Sequence, residues 1–216
     1  MSTDNELAVI RGHEELYART WHLFEAARSE IACAANDLYT WLCAREGELP
    51  APDKPLGAVT VRKLYRPALL LNPAGVAHVR RMARLGARIR ITNDEINETI
   101  IIDRRVAILA GGAADGARTF SVVSEAGVVS AVASLFDAAW RTATEHEVYD
   151  RELNELREIA PRILEVLRAG WKDETAARAL SLSVRTYRRR VAELMAALGA
   201  SSRFQAGVRA RELGLV

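Results

Sequence analysis

The chain has 216 residues, half of them hydrophobic and 27% charged, a globular balance suited to one mid-sized domain plus a small one. No apolar run approaches the roughly 18 residues of a membrane span, and "MSTDNELAVIRG" has neither the basic start nor the apolar core of a signal peptide. A cytoplasmic protein with no membrane partner is therefore expected. Cys33 and Cys43, with histidines at 13, 22, 78 and 146, fall in no metal-ligand spacing, so reduced packing thiols, no metal and no cofactor are expected. The net charge of +2 is unevenly spread: residues 1–150 carry −3, residues 151–216 carry +5. A basic tail behind a mildly acidic body points to an anionic partner such as nucleic acid.

In chain order, residues 12–28 read as a helix with Leu16, Trp21 or Leu23, Phe24 and Ala27 on one side. "EIACAAN" is a short buried strand, and "DLYTWLCAREG" a helical turn or two. "ELPAPDKPLG", residues 48–57, is a loop by its prolines and glycine, and "AVTVRKLY" a strand. "NPAGVAHVRRMARLG" is a helix opened by Asn72 and Pro73 and closed by Gly86. "ARIRIT" is a strand. "TIIIDRRVAILAGG" gives two strands turning at residues 103–105, where the short Asp103 side chain is expected to bond local backbone. "GGAADG" is a loop, "RTFSVVS" a strand, and "GVVSAVASLFDAAWRTATE" a long helix with Val128, Val132, Leu135, Phe136 and Trp140 as its apolar stripe. Helix and strand alternation to about residue 146 predicts an α/β domain, a mixed sheet flanked by helices. From residue 150 only helices remain, at 152–169, 173–180, 183–198 and 202–213. The expected organisation is a regulatory or dimerisation domain over 1–146, a helical connector over 147–160 and a small all-α domain over 161–216.

In "LSVRTYRRRVAELMAALG", residues 182–199, a 100° step gathers Val184, Tyr187, Val191, Leu194, Met195 and Leu198 on one face. Ser183 is a natural N-cap and Gly199 a natural stop. Arg185, Thr186 and Arg189 point away from the stripe, with Arg188 and Arg190 on its flanks. "DETAARAL" is a second short helix, joined through "SLS". Two helices across a three-residue turn, the second basic on its outer face, make a helix-turn-helix whose second helix can enter a major groove. Guanidinium pairs in bidentate fashion with guanine or phosphate. Charge alone equally fits a solvated basic helix.

The arrangement around that helix is more specific. "GWKDETAARALSLSVRTYRRRVAELMAALGASSRFQAGVRARELGLV" closely resembles the LuxR/GerE-type DNA-binding domain. Gly170, Ala177, Leu180, Ser183, Thr186, Leu198, Gly199, Ser202, Arg203, Gly214 and Leu215 match its pattern without gaps, over about 60 residues. The resemblance implies double-stranded DNA as partner, with Arg188 and Arg189 in DNA-facing positions. The helical wheel agrees for Arg189, adds Arg185, and makes Arg188 and Arg190 phosphate contacts. Ser183, Arg185, Thr186, Arg188, Arg189, Arg190 and Arg203 are the candidate DNA-binding residues. Departures are Arg162 and Pro161 in the first helix, Lys172 at the cap of the second (where Asp173 is expected to cap instead), Thr175 for a usual Glu, and Tyr187 for a usual Val.

"INETIIIDRRVAIL" resembles the second half of a phospholipase D motif, H-x-K-x4-D. Aligned on Asp103, Ile96 stands at the histidine and Glu98 at the lysine. A phosphoryl-enzyme mechanism needs both missing groups, so no catalytic residue and no enzyme activity are expected. The element order and "GVAHVRRMARLGARIRI" also resemble the phospholipase D-like regulatory domain of TrmB-type regulators, which actinobacterial regulators couple to a LuxR-type helix-turn-helix. The extra N-terminal winged helix of many such proteins is expected to be absent. Arg62, Arg66, Arg88, Arg90 and Asn97, on or near strand ends, are candidates to line an anionic-ligand site for a small-molecule effector, if not simply solvent-facing. The resulting expectation is a bacterial transcriptional regulator that binds duplex DNA as a homodimer, its N-terminal domain sensing a small-molecule or protein signal or mediating dimerisation. The alternatives are a residual phosphodiesterase or nuclease with a DNA-targeting tail, and a scaffold whose basic helix binds a protein.

Overall fold

Strand alternation and helix periodicity resolve, in a computed structural model, into one eight-stranded mixed sheet with helices on both faces. The structure describes residues 7–36, 57–114 and 117–216. The helical turn expected in "DLYTWLCAREG" and residues 48–56 of the loop expected over 48–57 lie outside these residues, as does Cys43. The elements are β1 (Leu7–Arg11), α1 (His13–Glu25), β2 (Glu30–Ala35), β3 (Thr60–Tyr65), a 3₁₀ turn (Pro67–Leu71), α2 (Pro73–Arg84), β4 (Arg88–Ile91), β5 (Thr99–Ile102), β6 (Val106–Ala114), β7 (Ala117–Val123), α3 (Ala126–Thr142), β8 (Thr144–Glu145), α4 (His146–Arg168), α5 (Asp173–Ala179), α6 (Val184–Ala197) and α7 (Arg203–Glu212).

The strand order is β1-β7-β6-β5-β2-β3-β4-β8. Strands β2, β3 and β4 run parallel. The pairs on either side of them are antiparallel, so the sheet is mixed as expected. Period-two alternation sorts its side chains. Cys33, Ile100, Ile102, Ile108 and Phe120 pack with Leu16 of α1. Ala32, Ala34, Leu64, Ile101 and Ala107 pack on the other face against Val129, Ala133 and Phe136 of α3.

Four local readings are corrected. Strand β1 was not foreseen, because its five residues find their partner only across the chain, Leu7 opposite Val123. The loop read into "GGAADG" is partly strand: β6 continues to Ala114, with a register shift between Ala110 and Ala113 where Gly111 and Gly112 form a bulge. The expected stripe of α3 holds at Phe136, with Val132 and Trp140 packed against the core, but fails at Val128 and Leu135. Val129, Ala133 and Phe136 are buried, whereas Val128 and Leu135 are 43% and 70% exposed. Asp103 lies in the expected turn, where it and Arg104 both have positive φ and Arg105 N–H donates to Ile102 O, but its carboxylate does not serve that turn. It accepts from the backbone N–H of Arg28, Ser29 and Glu30 and from Ser29 Oγ, at 2.7–2.9 Å, and so pins the β5–β6 hairpin to the start of β2. Burial raises the Asp103 pKa, but the donors at Glu30, Ser29 and Arg28 outweigh it and hold the group well below the usual carboxylate range.

The largest core continues beyond the sheet. Val61, Tyr65, Leu70, Val79, Ile89 and Ile91 share one buried cluster with Leu156, Ile163, Ala177, Tyr187, Leu194 and Ala210. Helix α4 runs unbroken through the expected connector and past Pro161. It is stitched to the 3₁₀ turn by Arg157 Nε donating to Leu70 O at 2.6 Å. Asn72 Nδ2 donates to Leu213 O at 3.0 Å. Hydrophobic packing is thus continuous across residues 147–160.

Within this core Tyr65 Oη lies 2.9 Å from His78 Nε2. Burial first, then the charges of Lys63 and Arg81, push His78 down to about 4. Below the unfolded value near 6.5, the unfolded chain takes up a proton that the folded chain refuses. Stability is therefore present above about pH 6.5 and declines as pH falls towards 4, by up to about 3 kcal/mol. His78→Gln should flatten that slope in urea titrations between these pH values; an unchanged slope would show that His78 is not its source.

Candidate nucleic-acid interface

Helix α6 begins because Ser183 ends an extended segment and caps it. Ser183 Oγ accepts from Thr186 N–H at 3.1 Å and sits 2.8 Å from Thr186 Oγ1. The turn before it passes through Ser181, whose φ is +58°. Tyr187, Val191, Leu194 and Ala197 are buried in the cluster that also holds Ala176, Ala177 and Leu180 from α5 and its end. With that stripe fixed, Arg185, Arg188 and Arg189 face solvent on the first turns of α6.

The four arginines are not equivalent. Arg185 is exposed and forms no ion pair with another described residue. Arg189 pairs with Glu193 one turn on, at 2.9 Å, and its side chain stays 58% exposed. Arg188 Nε donates to Asp173 at 2.7 Å, while Arg203 Nη2 lies 2.7 Å from the other oxygen of the same carboxylate. These two partners, Arg188 first, hold Asp173 below its ordinary carboxylate pKa. Asp173 was expected to cap α5. It is instead the first helical residue, Lys172 occupies the cap position with no side-chain cap bond, and the Asp173 carboxylate joins α5 to α6 and α7. Arg190 points back to the protein. It is paired with Glu155 of α4 and, at 2.9 Å, with Glu193, and its side chain is only 15% exposed. Glu155, first, raises its pKa.

Ser183, Arg185, Thr186, Arg188 and Arg189 thus share the first turns of α6, with Arg203 joined to them through Asp173, whereas Arg190 lies against α4. Glu193 was discoverable in the sequence, standing four and three residues beyond Arg189 and Arg190. The roles of Asp173 and Glu155 had no such signal, because each meets its arginines only through tertiary packing.

The five residues read as a ligand site divide into groups. Arg62 is paired with Glu30 and, at 2.8 Å, with Asp137, and it stacks 5.0 Å from the Phe136 ring centroid. Arg90 donates to Trp140 O at 2.8 Å and lies 5.1 Å from that ring's centroid. Both are bound up beneath α3. Arg88 is exposed at the start of β4. Only Arg66 and Asn97 come together, in a cleft of about 620 Å³ that Ile96 also lines. Glu98 is buried and paired with Arg118, and it accepts from Asn36 N–H at 3.1 Å. Asp103 is at the opposite end of β5, so the positions aligned to the phospholipase D motif do not converge. Among the described residues, no group of three or more His, Cys, Asp or Glu side chains could hold a metal ion, and no helix is long and apolar enough to cross a membrane.

Over 164 residues the chain is 30% identical to the bialaphos biosynthetic pathway regulatory protein of Streptomyces hygroscopicus. The match takes in 74% of this chain and 63% of that protein, so the chain spans less than two thirds of its relative's length. Among solved structures the chain is similar to TrmBL2, an archaeal chromatin protein, with a TM-score of 0.49 and 16% identity over 67% of this chain and 55% of that one. It is also similar to Nuc, a phospholipase D family member from Salmonella typhimurium, with a TM-score of 0.48 and 13% identity over 65% of this chain and 98% of that one. No family model matches the chain.

Proposed function

We propose that the protein is a transcriptional regulator that binds duplex DNA through α6, the second helix of a LuxR-type helix-turn-helix formed by α5 and α6. One observation carries this reading: the buried stripe of α6 leaves Arg185, Arg188 and Arg189 side by side on its solvent face, directly after the Ser183 cap. An N-terminal half bearing long cationic donors suits entry into a major groove. The likeness to a biosynthetic pathway regulator agrees with it. The sheet domain has a regulatory rather than hydrolytic role in this reading, since Ile96 offers no nucleophile and Glu98 is committed to Arg118.

Binding as a homodimer belongs to the same proposal. A single recognition helix reads few bases, so two half-sites are generally needed for useful specificity. Phe204, 83% exposed, and Val208, 42% exposed, stand one turn apart on α7 as an apolar patch next to Arg203. Sedimentation should find a dimer on operator DNA. Fluorescence anisotropy with duplex DNA should give a Kd that weakens steeply and log-linearly with salt. No binding at micromolar protein in low salt would refute the DNA reading, and a basic helix that binds protein instead would then remain.

A further inference from the structure

The cleft at the joint between the sheet and the C-terminal helices is lined by two arginines, Arg66 and Arg209. Arg66 follows β3 and is a buried charged residue, 9% exposed. Arg209 comes from α7 and lines the same cleft. A Cβ on Gly199, the left-handed residue that ends α6, would collide with both Arg66 Nη2 and Arg209 Nη1. The two guanidinium groups therefore lie within about 5 Å of each other, close enough for strong like-charge repulsion. Neither has a carboxylate at ion-pair distance among the described residues. Asp94 and Glu95 act on Arg66 only at longer range, and Glu95 and Glu212 line the cleft without an ion pair to either arginine.

Their hydrogen bonds are also incomplete. Arg66 Nη1 donates to Asp94 O at 2.6 Å. Arg209 Nη1 donates to Leu198 O at 2.8 Å and to Gly199 O. Arg66 Nη2 and Nε and Arg209 Nη2 and Nε have no protein acceptor among the described residues. A guanidinium carries five donors in a planar fork. Two such forks facing one cleft match the tetrahedral oxygens of a phosphoryl group. Asn36 and Asn97, which also line the cleft, add neutral amides. The volume lies within the range of small-molecule sites.

We propose that Arg66 and Arg209 form an oxyanion site that takes a phosphoryl group, free or as a monoester, and that the bound anion ties the end of β3 to the α6–α7 junction. The anion cancels the repulsion between the two guanidinium groups and supplies an acceptor that the described residues do not. This site is independent of whether α6 binds DNA, and its test uses no DNA.

The full chain is melted with inorganic phosphate, and separately with glycerol 3-phosphate, at constant ionic strength set with chloride. A saturable rise in Tm of roughly 3–6 °C at ten times the dissociation constant is expected. Arg66→Gln and Arg209→Gln should each abolish it, and Arg88→Gln, at the exposed position on β4, should retain it. A rise with both probes identifies the phosphoryl group as sufficient; a rise with glycerol 3-phosphate alone identifies a monoester. If Arg66→Gln does not fold, Arg209→Gln decides, read also by loss of phosphorus-NMR line broadening. No rise with either probe, or a rise that survives Arg209→Gln, overturns the site.

Discussion

Replacing Tyr187 with alanine is expected to lower the unfolding free energy by about 3–5 kcal/mol, the usual cost of emptying an aromatic site in a packed core. Tyr187 is fully buried. Its cluster also contains Tyr65, Leu70 and Ile89 from the sheet side, so the damage should reach both parts of the chain. Calorimetry should accordingly show one transition in the unaltered protein, with calorimetric and van't Hoff enthalpies equal, and one transition at lower temperature in the variant. Two separable transitions would mean that the helices after residue 146 fold on their own and that the shared cluster contributes little. The phenol gives a second, opposite expectation. Tyr187 Oη is buried without a hydrogen-bond partner among the described residues, and burial pushes its pKa up. Tyr187→Phe removes that unsatisfied group and should be neutral or stabilising by about 1 kcal/mol. Nothing in the fold explains why the hydroxyl is present.

The sheet was legible because strand and helix periods differ so plainly. "TIII" and "VAIL" around Asp103 read as a hairpin and are one, and Asn72 with Pro73 opens α2, its side chain accepting from Ala74 N–H at 2.8 Å. What failed were features settled by distant partners. Strand β1 exists because β7 offers it an edge. Gly111 and Gly112 are strand residues because β7 continues to pair beyond them. The α3 stripe differs at its start because the sheet selects Val129 over Val128 as the inward residue, a choice that an apolar pair at adjacent positions leaves open. The joining of the C-terminal helices to the sheet through Leu70 and Asn72 left no local pattern at all.

The arginine-rich helix shows the same division. Its period identified which side is buried, and the Ser183 cap identified where it begins. The wheel also put Arg188 and Arg190 symmetrically on the flanks of the stripe, but the structure breaks that symmetry. One flank faces α5 and α7, where Asp173 holds Arg188 beside Arg203, and the other faces α4, where Glu155 takes Arg190. Asp173 therefore acts as a positioning residue for two exposed cations, a role that no helical wheel of α6 contains.

That asymmetry sharpens what substitution of the arginines should do, on the reading that α6 enters the major groove. Arg189 projects from the face opposite the buried stripe, and only Glu193, itself on the surface, competes for it. An exposed i,i+4 pair is worth about 0.3–0.5 kcal/mol, less than a bidentate contact to a base edge, so DNA can displace it. Arg189→Ala should lose about 1–3 kcal/mol on operator and much less on random duplex, with preference relaxed at one base pair. Arg185→Ala, which breaks no ion pair with a described residue, should weaken both duplexes alike and reduce the salt slope by about one. Arg190→Ala should behave differently from either. Its guanidinium bridges α4 and α6, so the variant should melt at lower temperature while its salt slope stays unchanged. Circular dichroism establishes first that each variant is folded. Equal losses on both duplexes for Arg189→Ala would remove it as a base reader, and a reduced salt slope for Arg190→Ala would show that the Glu155 and Glu193 pairs open on DNA and release Arg190 to a phosphate.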